Sequence, residues 1–548
     1  MERQLINAGE WRRYWLAALL LTAVFMVIEI YPLVKSVSNH PYQNKVISKA
    51  EAADAAIAFA NGETGLSFEA SRVLHQTNKL LNGYLSKEKL LETYETKYGA
   101  RYPADTFQVN LDQKDGRGYG FVYVHMYTGE IAAWKLDISR NGQQSDEAQV
   151  LAALTDKLRS RDIDPGSLTL EGRNTWQVTG ASIGEASLSI KAVAQENNGS
   201  ISVVEFKPEF KAPQNYISYV TKQDNLAKWL TGAGYVLFSI IFGILAIVYS
   251  ILYRKHTSFK YGILLTVVFF VAYLIMNLNM LDGGYAASGE TRLPQGFGMI
   301  TLVITILLAI PMVGSVYVSI VGGDGLWKSQ GRDLWPRPSA PGFGDYVWRS
   351  VWLSYLFALG MLGLQPLLFK GLELAIGTWS TTDVMMSPYN MGVLWLMPVL
   401  AWAAAISEEA VFRFFGIGLL RKWFRHTFAA TIIPTIVWSL GHVMYPFYPS
   451  TTRLFELMVI GLIFSFIFVR YGFITAMFTH AIFNSIAVAS SLYLIGSAAN
   501  IISATFFIVL PVIIAWILRE WNKRAVRKGP PSMAANQYAG TGGPQAPQ

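Results

Sequence analysis

The chain contains no cysteine. A disulfide framework and a thiolate metal site are therefore excluded, and no Cys nucleophile exists. Charge is also scarce. Asp, Glu, Lys and Arg make up 15% of the 548 residues, against about 25% in soluble globular domains. Hydrophobic residues reach 52%, which excludes a disordered or collagen-like chain. The shortage of charge is uneven. Residues 37–228 carry 23 acidic and 21 basic residues, a soluble composition at 23% charge and a net of −2. The other 356 residues carry 14 acids and 24 bases, 11% charge with a net of +10. This is a soluble domain inserted into a basic membrane protein. The overall +8 then reads as membrane topology, and nucleic acid is not the expected partner.

Ten apolar runs approach the ~20 residues needed to cross ~30 Å of hydrocarbon. They are 15–34, 229–252, 261–281, 298–320, 347–369, 390–420, 427–444, 453–469, 472–491 and 499–518. Gln365-Pro366 interrupts the fifth and Pro511 the last. Bases at Arg3, Arg12 and Arg13 place the N-terminus in the cytoplasm. The even-numbered connections and the tail are also rich in Lys and Arg. The outer loops hold only Arg292, Lys370 and Arg453. The expected fold is a polytopic α-helical membrane protein of about 10 transmembrane helices with an inserted extracytosolic α+β domain. Its expected divisions are a cytoplasmic N-terminus (1–14), a first transmembrane helix (15–34), the extracytosolic domain (37–228), three transmembrane helices (229–320), a core at 347–518 and a basic, then disordered, cytoplasmic tail (519–548). The first run is longer than a signal peptide's core, and Leu33-Val34-Lys35 offers no small-residue cleavage site, so it reads as a retained anchor. The absence of cysteine suggests a bacterial plasma membrane.

Within 37–228, Lys49 to Ala60, Lys87 to Tyr98 and Asp146 to Arg161 have helical spacing. Phe107 to Ile138 and Ser167 to Phe210 alternate as strands, with turns at Asp115-Gly116, Thr128-Gly129 and Asn197-Asn198-Gly199. The segment reads as two helix-plus-sheet units. A helix followed by YGFVYVHMYTGEIAAWKLDI resembles small extracytosolic modules of the PepSY type. Asn198-Gly199-Ser200 matches a glycosylation sequon, a pattern common by chance. His40, His75 and His125 have no second ligand at metal spacing and read as solvated or packed.

Ionisable side chains inside spans cost several kcal/mol and by default mark function. Glu29 and Glu456 lie near outer span ends, and Arg453 is spaced to pair with Glu456. The sixth span, AWAAAISEEAVFRFFGIGLL, is different. Glu409 and Arg413 are four apart, share a helix face and can pair. Glu408 points about 100° away and has no partner on its own helix, an environment suited to a general base. His442 lies near the end of the seventh span, and His480 and Asn484 share a face of the ninth. At about 1.5 Å per residue from the basic flanks, Glu408 lies ~20 Å deep, His442 ~25 Å, His480 ~15 Å and Asn484 ~21 Å. Three helices bring polar groups to similar depth, either as a reaction site or as a polar network joining helices.

Glu-Glu-x-x-x-Arg, then aromatic-x-x-x-His, then His-x-x-x-Asn on successive spans resembles the CPBP (Abi) intramembrane proteases. That family includes CaaX prenyl endopeptidases and bacteriocin-processing or self-immunity proteins. The resemblance covers about 347–518. Phe414 follows the Arg where Gly is common, and Trp438 stands where Phe is often seen. The resemblance implies peptide-bond hydrolysis within the membrane. Glu408 would be the general base, and His442 would bind the water or a metal. His480 and Asn484 would hold water and stabilise the oxyanion. Glu409 and Arg413 would organise the site. One Glu and two His (Glu408, His442 and His480) are enough for a three-ligand zinc site with an open position. They could equally activate water without metal, and no His-Glu-x-x-His helix is present.

The expected function is an intramembrane endopeptidase acting on membrane-associated or lipidated peptides, with peptide substrate and lipid bilayer as partners. One alternative is a non-catalytic peptide receptor or bacteriocin self-immunity protein. The other is a proton-coupled transporter, although the internal symmetry of transporters is not visible. The C-terminal tail has no cysteine, so it is not itself a CaaX substrate. The sequence leaves the oligomeric state open.

Overall fold

The computed structural model describes residues 6–39, 46–116, 118–138, 143–144, 146–197, 200–294 and 296–527. Arg3, His40, Asn198, Gly199 and the tail 528–548 lie outside the described residues.

The inserted domain is built on one antiparallel sheet of nine strands. Its strands are β1 (Phe68–Thr77), β2 (Asp105–Gln113), β3 (Tyr119–His125), β4 (Ile131–Asp137), β5 (Gln143–Gln144), β6 (Leu168–Gly172), β7 (Thr175–Ile183), β8 (Ala186–Asn197) and β9 (Ser200–Lys211). The order is β1-β2-β3-β4-β9-β8-β7-β6, with β5 paired to β8. The pairing of β4 with β9, Trp134 opposite Phe206, joins the two halves into one sheet. Gly116 and Gly129 take the positive φ that the expected tight turns require. The helix Lys49–Thr64 starts with a capping box of Ser48 and Glu51 and lays Ala52, Ala56 and Ala60, all buried, on the sheet. The helix expected over Lys87–Tyr98 is instead two pieces. Lys79–Lys87 ends before Lys89, whose φ of 58° breaks the helix, and a new turn starts at Leu91. The strand Phe68–Thr77, which lacks clean alternation, was not expected from the sequence.

Nine described helices are long and apolar enough to cross a membrane. They are Ala8–Lys35, Gln214–Leu252, Tyr261–Asn279, Phe297–Ser329, Phe343–Ile376, Leu394–Phe424, Thr452–Tyr471, Phe473–Ile495 and Ala498–Ala525. The remaining expected span is the shorter helix Thr427–Leu440. The helices containing Pro366 and Pro511 continue through those residues. Neighbouring helices in an apolar bundle can tolerate the lost hydrogen bond.

Gln214–Leu252 links the two parts without a break in the helix. Its first turns place Tyr216 and Val220 in the sheet domain's core, and its later turns place Phe242 and Ala246 in the helical core. Between them, Leu230–Val236 is a π-turn. Further links tie the sheet to the connections between helices. Glu290 accepts from Tyr123 at 2.9 Å and pairs with Lys207 at 3.2 Å and Lys135 at 3.3 Å. Arg72 pairs with Asp282, and Asn390 bonds both the N–H and the C=O of His75.

Candidate active site

The glutamate helix runs as α-helix over Val399–Glu408 and then widens into a π-turn over Glu409–Ile417. Such turns recur at functional sites because they rotate consecutive side chains away from their α-helical directions. Here Glu408 and Glu409 face different partners. Glu409 is fully buried and lies 3.2 Å from Nη1 of Arg413, as the four-residue spacing predicts. That contact is ionic, without hydrogen-bond alignment, and the guanidinium also lies 4.1 Å from the centroid of the Trp438 ring. Phe414, the departure from the family pattern, is fully buried. It stacks on Phe473 at 4.8 Å and so fills the gap between two helices.

Glu409 has a second partner that spacing along one helix does not reveal. Its Oε1 lies 2.9 Å from Nδ1 of His480 on the helix Phe473–Ile495. A carboxylate oxygen only accepts, so Nδ1 carries a proton, and the neutral tautomer that fits this contact has Nε2 as its acceptor. Nε2 lies 3.8 Å from Oε2 of Glu408. His442 repeats the arrangement. Its Nδ1 lies 2.9 Å from the carbonyl oxygen of Trp438, again an acceptor, and its Nε2 lies 4.0 Å from Oε1 of Glu408. The helix bearing Trp438 ends at Leu440, so His442 sits in the following turn rather than in the helix.

Glu408 is not left without a partner, as its own helix alone would suggest. The indole N–H of Trp438 donates to its Oε2. Trp438 also meets the rings of His442 and His480 edge-on, at 5.1 and 6.2 Å between centroids. In the sequence Trp438 supplies the aromatic of aromatic-x-x-x-His, and its hydrogen bond to Glu408 was not foreseen. Its four-residue offset from His442 was the available signal, since that offset puts both on one face. Asn484 follows His480 by one turn, half-buried, and its side chain hydrogen-bonds to no described residue. The structure therefore gathers Glu408, Glu409, Arg413, Trp438, His442 and His480, with Asn484 one turn away.

His75 and His125 have partners within the sheet domain. His75 lies 3.3 Å from Asp105, and Nδ1 of His125 accepts two backbone N–H groups of its own turn. The expected pair of Arg453 and Glu456 is present at 2.9 Å, and Gln365 donates to the same carboxylate. Glu29 lines a cavity of about 1000 Å³ between the first span and the helix Phe343–Ile376.

A second cavity, of about 620 Å³, has Glu408 in its lining. Its walls are Tyr235, Ile240, Gly243, Ile244 and Ile247 on one helix and Leu308, Gly314 and Ser315 on another. Ile240, Ile244 and Leu308 are exposed, so the groove opens sideways on the apolar surface of the bundle. Among the described residues, no three His, Asp or Glu side chains are grouped so as to hold a metal ion. Glu408, His442 and His480 do not form such a group in this structure.

No curated protein and no solved structure matches the chain. Residues 390–486, the stretch that carries every one of these side chains, match the family described as Type II CAAX prenyl endopeptidase Rce1-like, which belongs to the CPBP family of the resemblance.

Proposed function

We propose that this protein is an intramembrane endopeptidase that hydrolyses membrane-associated or lipidated peptides with water activated by Glu408. One observation carries the reading. Both histidines are tied off at Nδ1, and both turn an acceptor Nε2 toward the same carboxylate at 3.8 and 4.0 Å. A water that donates one hydrogen to each of two acceptors, with bonds near 2.8 Å, holds them about 4.4 Å apart. The spacing of Glu408 Oε1 and His442 Nε2 suits such a water.

Trp438 holds Oε2 of Glu408 and leaves Oε1 facing His442. In the attack, Glu408 takes the water proton while the water oxygen bonds to the substrate carbonyl carbon. The proton then passes from Glu408 to the departing amine as the C–N bond breaks. Asn484, one turn from His480, would donate its amide N–H to the oxyanion. The groove lined in part by Glu408 receives the apolar part of the substrate. At about 620 Å³ it suits a single hydrocarbon chain or a short extended segment. The excess of Lys and Arg on one set of loops puts both termini in the cytoplasm and the sheet domain outside.

The test compares membrane and secreted peptides from cells carrying the wild type, Glu408→Ala, Glu408→Gln or His442→Ala, by mass spectrometry. Peptides that accumulate uncleaved in all three variants at normal protein levels are the expected result. Identical peptide profiles would point to a receptor that binds without cleaving.

A further inference from the structure

His442 lies outside any helix, in a turn between Leu440 and the short strand Phe447–Tyr448. Such segments are usually among the more mobile parts of a fold. The helix Gln214–Leu252, which lies outside the family-matched stretch, grips this turn along its length. Oε1 of Gln223 accepts from both N and Oγ of Ser450, at 3.0 and 2.9 Å. Oδ1 of Asp224 accepts from the hydroxyl of Tyr448 at 2.6 Å. Two turns on, Thr231 donates to the carbonyl of Leu440 at 3.4 Å. The contact there is close on both sides. A Cβ on Gly234 would stand 2.5 Å from Leu440, and a Cβ on Gly441 would stand 2.7 Å from the Tyr235 ring. Strand Phe447–Tyr448 also pairs with Trp379–Ser380, and Trp379 donates to Tyr216 of the same helix.

We infer that Gln223, Asp224 and Tyr235 are positioning residues that fix His442 through the turn 440–450, making the sheet domain's exit helix a working part of the active site. This rests on the peptidase reading above. The same helix is anchored in the sheet core by Tyr216 and Val220 and forms one wall of the groove with Gly243 and Ile244. A shift of the sheet domain therefore moves the His442 turn and the groove wall together.

The test uses the purified full-length chain and diethyl pyrocarbonate, which acylates the free nitrogen of a neutral imidazole. Mass spectrometry follows the rates at His442 and, as internal control, at His480, which is 4% exposed. The double variant Gln223→Ala/Asp224→Ala should raise the His442 rate severalfold and leave the His480 rate unchanged. It should also lower processing by roughly 10- to 100-fold, the upper figure being the effect an ångström of misplacement can have. Gln223→Glu/Asp224→Asn keeps both acceptor oxygens and should restore both readouts. Tyr448→Phe, which removes a single oxygen, should give a smaller change in the same direction and serves if the double variant does not fold. Wild-type His442 reactivity in the folded variants would overturn the inference. If Glu408→Ala still processes peptides, the peptidase reading fails, while the acylation rates continue to judge the positioning role on their own.

Discussion

Nδ1 of His480 stands 2.9 Å from Oε1 of Glu409, while Nε2 of the same ring faces Oε2 of Glu408 at 3.8 Å. Two adjacent carboxylates thus address opposite edges of one imidazole. The first sets its proton on Nδ1 and the second lies toward the edge left free to accept. A direct consequence concerns Glu409, which also balances the fully buried Arg413. Glu409→Ala leaves that guanidinium unpaired and should cost about 3–5 kcal/mol of stability along with all processing. Glu409→Gln keeps an acceptor for the Nδ1 proton and should retain more activity than the alanine variant. Thermal unfolding in detergent, read beside peptide processing, checks both. An alanine variant that melts like the wild type would refute the argument.

The second prediction concerns Trp438. Its N–H orients Glu408, and its ring faces Arg413 and both histidines. Trp438→Phe keeps a ring but loses the donor. A hydrogen bond to a charged group contributes about 1.5–3 kcal/mol, so kcat should fall by roughly 10- to 100-fold. KM should hold steady, because the groove is untouched. A change confined to KM would show that the indole N–H has no part in holding the base.

Much of this site was legible in the sequence, for reasons that are local. Glu409 with Arg413, and Glu456 with Arg453, are pairs at helical spacing, and the structure closes both. The glycine turns at Gly116 and Gly129 are likewise written in single residues. What was not legible depends on distant parts of the chain meeting. The contact of Glu409 with His480 spans 71 positions, and that of Glu408 with Trp438 spans 30. The joining of the sheet through Trp134 and Phe206 is of the same kind. Pro366 and Pro511 misled in the other direction, because their helices run on within a bundle where neighbours compensate a local defect.

The groove gives a third prediction, through its glycines. Gly314 faces open space, with nothing within 4 Å of an added Cβ, whereas a Cβ on Gly243 would stand 3.2 Å from Ser315 on the facing helix. Gly314→Leu therefore extends a side chain into the groove from a position with open space around its Cβ and removes a helical glycine, a change that favours the helix by up to about 1 kcal/mol. Its melting temperature should match or exceed the wild type's, while KM for substrates with an apolar tail rises severalfold. Gly243→Leu should lower stability as well. Unchanged KM in a folded Gly314→Leu protein would remove the groove from the substrate path.

The last prediction concerns pH and the joint between sheet and bundle. Glu290 lies outside the spans, against Lys207, Tyr123 and Lys135. Burial works against its charged form, but attraction to Lys207, the hydrogen bond from Tyr123 and attraction to Lys135 outweigh it and hold the carboxyl below its ordinary value. A carboxyl with a lowered folded-state pKa stabilises the fold above the unfolded pKa of about 4.3, and that contribution disappears as pH falls through the folded value. The wild type should therefore melt above Glu290→Gln at pH 7. The difference should shrink as pH drops below about 4, where the wild-type carboxylate takes up its proton. Melting curves of both proteins from pH 3 to pH 7 give the comparison. A gap between them that stays constant over that range would mean that the charge of Glu290 plays no part in holding the domain to the bundle.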